Sequence, residues 1–262
     1  MKRVLITGAS GLIGAILRDR LADRYDLIGL ARRPEEFPHI IGDITNLDSM
    51  LAACAGVDAI VHMAGVPHVG ALWPNVLTTN IDGTYNVYEA ARQQGVGSVI
   101  FASTNHTVSW WEAEAGSSLY ELDDPRVFSP DIPHRPDSYY GVSKATGETL
   151  GRYYSDVHGL RVLCLRIGWV LGGDDPANQD VSGEVAPPLT ADEVRLRLRA
   201  IYLSHRDCAE LVRCCLDAEH VRFGVYYGVS DNPRLFYDLS NAREELGYEP
   251  QDSAPVEFGS SD

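Results

Sequence analysis

The sequence predicts an α/β protein: a doubly wound parallel sheet with a small C-terminal lobe on the substrate side. Three observations carry this. Short β-branched runs alternate with helical patterns through the first half, the joining loops are short, and the glycine-spaced turn "TGASGLIG" links the first strand to the first helix. In order, "KRVLITG" reads as a strand, "GLIGAILRDRLADR" as a helix, "YDLIGLAR" as a strand and "LDSMLAACAG" as a helix. "VDAIVHMAG" is a strand, "WPNVLTTNIDGTYNVYEAARQQG" a long helical stretch, and "VGSVIFAST" the next strand. After Thr104 the Pro, Asp and Ser content of "NHTVSWWEAEAGSSLYELDDPRVFSPDIPHRPDS" predicts loop. A helix runs from Ser138 to about His158, followed by the strand "LRVLCLRIG". Residues 171–188 lack periodicity and read as a mobile flap. The remainder predicts a helix around Asp207 to Ala218, a strand "FGVYYGVS" and a terminal helix "DLSNAREELGY". No linker separates a second unit, so 1–262 reads as a single domain, with 1–170 mainly a dinucleotide-binding core and 171–262 mainly a substrate lobe interleaved with that core.

Composition narrows the function. Thirty-seven acids against twenty-two bases give a net charge of −15, which argues against nucleic-acid or anionic-membrane binding. No apolar run reaches the roughly 18 residues of a membrane span. The five cysteines lack metal-ligand spacing and read as buried free thiols in a reducing cytoplasm. The histidines His62, His68, His134 and His205 show no metal pattern either, so no metal is expected.

Gly8, Gly11 and Gly14 follow the first strand at T-G-x-x-G-x-x-G spacing. Such glycines permit a tight turn and let backbone N–H groups approach a pyrophosphate at a helix N-terminus, with Ser10, Leu12 and Ile13 completing the turn. An acid at the end of the second strand would bind the adenosine ribose diol. Here Arg32 and Arg33 stand there, which favours the 2′-phosphate of NADP and leaves NAD possible. Asp43 and Ile44 in "GDITN" are positioned to flank the adenine, or Asp43 caps the next helix.

Lys144 is one of two lysines among twenty-two cations, and it lies four residues after Tyr140 in "SYYGVSKATGE". On a helix the two share a face, so an ammonium can sit beside the phenol, lower its pKa and bind the nicotinamide ribose, which a planar guanidinium does poorly. "FASTNH" ends the preceding strand and supplies Thr104, with Ser103 beside it.

With these motifs in this order, the chain resembles an extended short-chain dehydrogenase/reductase over nearly its whole length. The resemblance implies a Rossmann-type fold with Tyr140 as acid/base, Lys144 tuning it and holding the ribose, and Thr104 hydrogen-bonding the reacting oxygen. It also implies cofactor contacts from Met63, Ala64 and Gly65, from Asn80 and from Ile167, and a homodimer paired through two long helices. "FASTNHTVSW", "YGVSKATGETLGRYY", "LRIGW" and "YLSHRDCAEL" most resemble uronate dehydrogenases and archaeal sugar or sugar-phosphate 1-dehydrogenases. That implies oxidation of C1 of a cyclic aldose to a lactone, with Asn105 and His106 on sugar hydroxyls. Uronate dehydrogenases carry serines where this chain has Pro67 and Trp169, so two donors are gone and an indole face is gained. A neutral aldose is therefore favoured, with a uronate or sugar phosphate open. Arg197 falls near the spacing of that family's carboxylate-binding arginine, but Arg195 and Arg199 compete for the place, and "VRLRLRA" also reads as an edge strand with a charged face. Trp110 and Trp111 either line a pocket or pack the lobe. Two rival readings keep the fold: an epimerase or dehydratase with retained NAD, and a non-catalytic dinucleotide sensor.

Overall fold

In the computed structural model, which describes residues 1–177 and 189–256, one seven-stranded parallel sheet runs in the order β3-β2-β1-β4-β5-β6-β7. The strands are β1 (Arg3–Thr7), β2 (Asp26–Ala31), β3 (His39–Ile41), β4 (Ala59–His62), β5 (Ser98–Thr104), β6 (Arg161–Ile167) and β7 (Phe223–Gly228). Every neighbouring pair is parallel, so each crossover is a helix or loop lying on one face. The order reverses between β1 and β4, which opens the crevice at their carboxyl ends.

Because the sheet is covered on both sides, its strands are apolar on alternate positions toward two separate cores. Val4 and Ile6 of β1 pack with Ile100, Leu163 and Leu165 against α1 (Leu12–Leu21) and α8 (His205–Asp217). Leu5 packs with Ile60, Val99, Phe101 and Cys164 on the opposite face, beneath α2 (Leu47–Ala53), α4 (Gly83–Gln94) and α6 (Tyr139–His158). The short α3 (Trp73–Asn75) passes through a π-helical stretch, Val76–Asp82, into α4. All five cysteines are free and buried.

Helix α6 carries the site, and its ends explain its length. Ser138 caps it by accepting from the Gly141 N–H at 3.1 Å, and Gly159, at φ +71°, ends it in the left-handed conformation. It presses on the sheet through Gly147, where a Cβ would stand 2.3 Å from the Phe101 ring. A buried ion pair fixes its register. Glu148 accepts from Arg166 of β6 at 3.0 and 2.9 Å, from Ser103 of β5 at 2.5 Å, and pairs with His134 at 2.7 Å.

Two expectations change. The stretch after Thr104 is not all loop: α5 (Ser109–Ala115) lies in it, flanked by 3₁₀ turns at Asn105–Thr107 and Ser117–Tyr120. The alternating "VRLRLRA" is not an edge strand but part of α7 (Ala191–Ile201), capped by a reciprocal Thr190/Glu193 box. Val194, Arg197, Leu198 and Ile201 of its buried residues follow helical spacing, an arginine holding one place in that stripe, while Arg199 and Ala200 are buried beside it. Most of the flap expected at 171–188 lies outside the described residues. The terminal helix is α9 (Ser240–Leu246).

Glu148 and Arg166 are both almost fully buried, so removing one charge strands the other in the sheet. Glu148→Gln is expected to destabilise the protein by about 3–5 kcal/mol, read as a lowered urea midpoint at neutral pH; an unchanged midpoint would contradict the role given to this pair.

Candidate active site

A cleft of about 1170 Å³ runs along the carboxyl ends of the strands, from the glycine turn to α7. Its dinucleotide end is made mostly of backbone. Gly8 takes φ +73°, and a Cβ there would meet Ala64 N at 2.7 Å; one at Gly14 would meet the Gly8 carbonyl oxygen at 2.3 Å. The turn is therefore shut to side chains and lets the N–H groups that open α1 face the cleft, a donor set that fits a pyrophosphate. Ser10, Gly11, Leu12, Ile13 and Gly14 all line it.

Arg32 and Arg33 follow β2 at the rim, both exposed. Asp43 and Ile44 line the cleft beside them. The carboxylate of Asp43 accepts from Thr45 N and Oγ1, both at 2.9 Å, while Asn46, not Asp43, caps α2. Glu35 was missed by sequence reasoning. It lines the same end and accepts from Ser10 Oγ at 2.6 Å, and the only signal for it was the acidic pair in "RRPEEF".

Met63, Ala64 and Gly65 continue from β4 into the cleft floor. Asn80 does not line the cleft. It sits behind that floor, accepting from Val66 N at 2.7 Å and donating to Val66 O at 3.2 Å and Ser143 Oγ at 2.9 Å. Its part is to hold the loop after β4 against α6. His62 is buried between Thr7 and Thr84, and burial pushes its ring down to about 3, so it stays neutral and structural.

At the middle of the cleft Thr104, Tyr140, Lys144 and Ile167 come together. Lys144 is 4% exposed, with its ammonium 4.9 Å from the Phe101 ring centroid and 5.9 Å from that of Tyr140. It makes no hydrogen bond to another described residue, and a Cβ on Gly65 would stand 3.5 Å from it. Such a cation, held in the wall with donors to spare, fits a ribose diol in the cleft. Burial pushes the amine down to about 8. The phenol departs from expectation. Burial pushes Tyr140 up to about 12, a hydrogen bond with Thr104 draws it down, and Asp137 raises it further. Desolvation dominates at both side chains, and the ammonium, 5.9 Å from the Tyr140 ring centroid, does not offset it.

The opposite end of the cleft, where the sequence leads us to expect a sugar, is built of side chains. Asn105, 2% exposed, lines the cleft with its Oδ1 engaged by Thr104 Oγ1 at 3.3 Å and its Nδ2 without a hydrogen-bond partner among the described residues. His106 lines it too, with Nδ1 held 2.7 Å from the Asp137 carboxylate and its ring 5.9 Å from that of Tyr140. Pro67 and Trp169 complete this end. Ser103 also reaches the cleft, but its hydroxyl is bound to Glu148 and faces the protein. Arg197 lines the cleft as well, yet its guanidinium is paired with Glu112 at 2.7 Å. Arg199 is turned away to the carbonyl oxygens of Tyr120 and Val256, and Arg195 pairs on the surface with Asp192. Trp110 and Trp111 lie outside the cleft, Trp111 donating to Pro133 O and carrying Arg135 over its ring.

The buried amine sets a pH dependence. Between about 8 and 10.5 the unfolded chain keeps a proton on Lys144 that the folded chain has released, so folding costs more below that window and less as pH rises through it. Lys144→Met is therefore expected to stabilise the protein at pH 7 by on the order of 2–3 kcal/mol, a gain that fades as the wild type recovers above about pH 8. Denaturation midpoints against pH test this, and a destabilised variant at pH 7 would contradict it.

Comparison with known proteins agrees with this architecture. The family model for the NAD dependent epimerase/dehydratase family matches residues 4–192. The chain is 37% identical to an NAD-dependent glucose-6-phosphate dehydrogenase of Haloferax volcanii, over 96% of this chain and 94% of that one. It is 36% identical to an L-arabinose 1-dehydrogenase (NAD(P)(+)) of the same organism, over 97% and 98%. Among solved structures, a mutant uronate dehydrogenase from Agrobacterium tumefaciens complexed with NAD superposes with a TM-score of 0.79 at 32% identity, covering 97% of this chain and 86% of that one. The chain thus belongs to the NAD dependent epimerase/dehydratase family, the extended short-chain dehydrogenases/reductases.

Proposed function

We propose that this protein is a cytoplasmic oxidoreductase that oxidises C1 of a cyclic, neutral aldose to an aldonolactone, with NADP preferred and NAD tolerated. The observation that supports it best is the meeting of Thr104, Tyr140 and Lys144 in one cleft, between a backbone-lined dinucleotide end and a side-chain-lined end carrying Asn105 Nδ2, which has no partner among the described residues. The names of the relatives put their substrates among sugars, sugar phosphates and sugar acids. The hydrophobic Pro67 and the indole of Trp169 suit a pyranose face more than an anion.

A bound dinucleotide supplies the acceptor for the C1 hydride, with Gly8 to Gly14 facing its pyrophosphate, Lys144 its ribose and Met63 to Gly65 its ring. On this reading the Thr104 hydroxyl holds the anomeric oxygen, and the Tyr140 oxygen, which has to lose its own proton against the upward push of its burial, takes the proton of the anomeric hydroxyl. C1 loses its hydrogen with the bonding pair as the C1–O bond becomes the lactone carbonyl. Asn105 and His106 orient the ring through its hydroxyls, and Arg197 and Ile201 of α7 supply the C-terminal part of that end. Exposed Tyr85 on α4 with Val142, Tyr153 and Val157 on α6 support pairing of two copies through these helices.

Tyr140→Phe is expected to lower kcat by about 10²–10⁴-fold while leaving dinucleotide affinity within a few-fold, measured by turnover and by fluorescence titration; retained turnover would remove Tyr140 from the chemistry. Arg32→Asp is expected to weaken NADP about tenfold or more and to spare NAD; equal loss for both would refute the cofactor preference.

A further inference from the structure

The sugar end of the cleft holds a buried charge that the chemistry above does not use. Arg197 lines that wall, yet its Nε donates to Glu112 Oε2 at 2.7 Å and its Nη2 reaches Glu112 Oε1 at 3.4 Å. Glu112, 3% exposed, lies behind the wall rather than on it. It is surrounded by donors: Tyr237 OH at 2.5 Å, Tyr120 OH at 3.1 Å and Ser109 Oγ at 3.0 Å. These come from α5, the turn after it and the segment before α9, so distant parts of the chain converge to keep one carboxylate ionised beside one guanidinium. The third nitrogen of Arg197, Nη1, has no hydrogen-bond partner among the described residues.

We propose that Glu112 is a specificity-determining residue: by cancelling the charge of Arg197 it leaves a hydrogen-bond donor without net charge at the sugar site, which admits a neutral aldose and rejects one carrying a carboxylate or phosphate. A substrate anion entering this wall sheds water, and only a free opposite charge offsets that loss. A sugar hydroxyl needs only the donor. The inference rests on the sugar-oxidising reading and names the residue that sets its substrate class.

The test compares D-galactose with D-galacturonate, which share a ring configuration and differ in a hydroxymethyl against a carboxylate. Wild type, Glu112→Gln and the double variant E112Q/R197Q are measured as full chains saturated with NADP+, by kcat/KM and by calorimetric affinity for each sugar. Wild type is expected to prefer galactose. Glu112→Gln is expected to raise the acid-to-neutral ratio roughly tenfold or more, chiefly through KM, because the guanidinium is then unopposed. The double variant removes both charges together, which buried pairs often tolerate, and is expected to return the ratio to within about threefold of wild type. It decides the matter if the single variant fails to fold: loss of an acid affinity that wild type possesses would overturn the proposal. A ratio unchanged in a folded Glu112→Gln protein sinks the role of Glu112 and leaves the neutral-aldose reading standing. Wild-type preference for galacturonate sinks both. If no aldose is oxidised, the catalytic reading falls and the affinities still judge Glu112.

Discussion

The Glu148 carboxylate is the point on which the arrangement of the cleft depends. It stands four residues after Lys144 and eight after Tyr140, on the same face of α6. By binding Ser103 of β5 and Arg166 of β6 it locks that helix face to the ends of two adjacent central strands. Thr104 follows Ser103 directly, so the distance between the threonine hydroxyl and the phenol is set by a neighbouring ionic contact rather than by packing alone. His134 draws the loop before α6 into the same network. Desolvation opposes the charge on Glu148, and the surrounding donors still hold its pKa below the ordinary carboxylate value.

Two design principles meet at the cleft. Its dinucleotide end uses backbone at closest approach, where the absence of Cβ atoms at Gly8 and Gly14 matters more than any side chain. Its sugar end uses side chains held from behind: Asn105 by Thr104, His106 by Asp137, Arg197 by Glu112. Lys144 lies between them, under strain. A buried amine without a hydrogen-bond acceptor among the described residues opposes folding, and such a group persists where a ligand gives it a partner.

Much of this was legible in the sequence because its signals are local. Strand and helix alternation, the glycine spacing after β1, and the four-residue step from Tyr140 to Lys144 are each contained within a few residues. The arrangement behind the cleft was not legible, since it depends on partners distant in the chain. Glu112 sat in a stretch read as loop, and its five hydrogen bonds come from Ser109, Tyr120, Arg197 and Tyr237. Arg197 sat in an alternating run whose two-residue period imitates a strand, although its burial follows the helical stripe of α7. Ser103 and Asn80 resembled ligand contacts by position, and only the fold shows their polar atoms turned inward to Glu148 and to Val66.

On the proposed function, a hydrogen leaves sugar C1 with its electron pair while Tyr140 receives the hydroxyl proton. Incubation with an aldose deuterated at C1, followed by NMR of the nicotinamide product, tests it most directly. Deuterium is expected at C4 of the reduced ring in one stereochemical position, with a lactone free of it. Deuterium retained on the sugar, or a reduced ring carrying none, would contradict it.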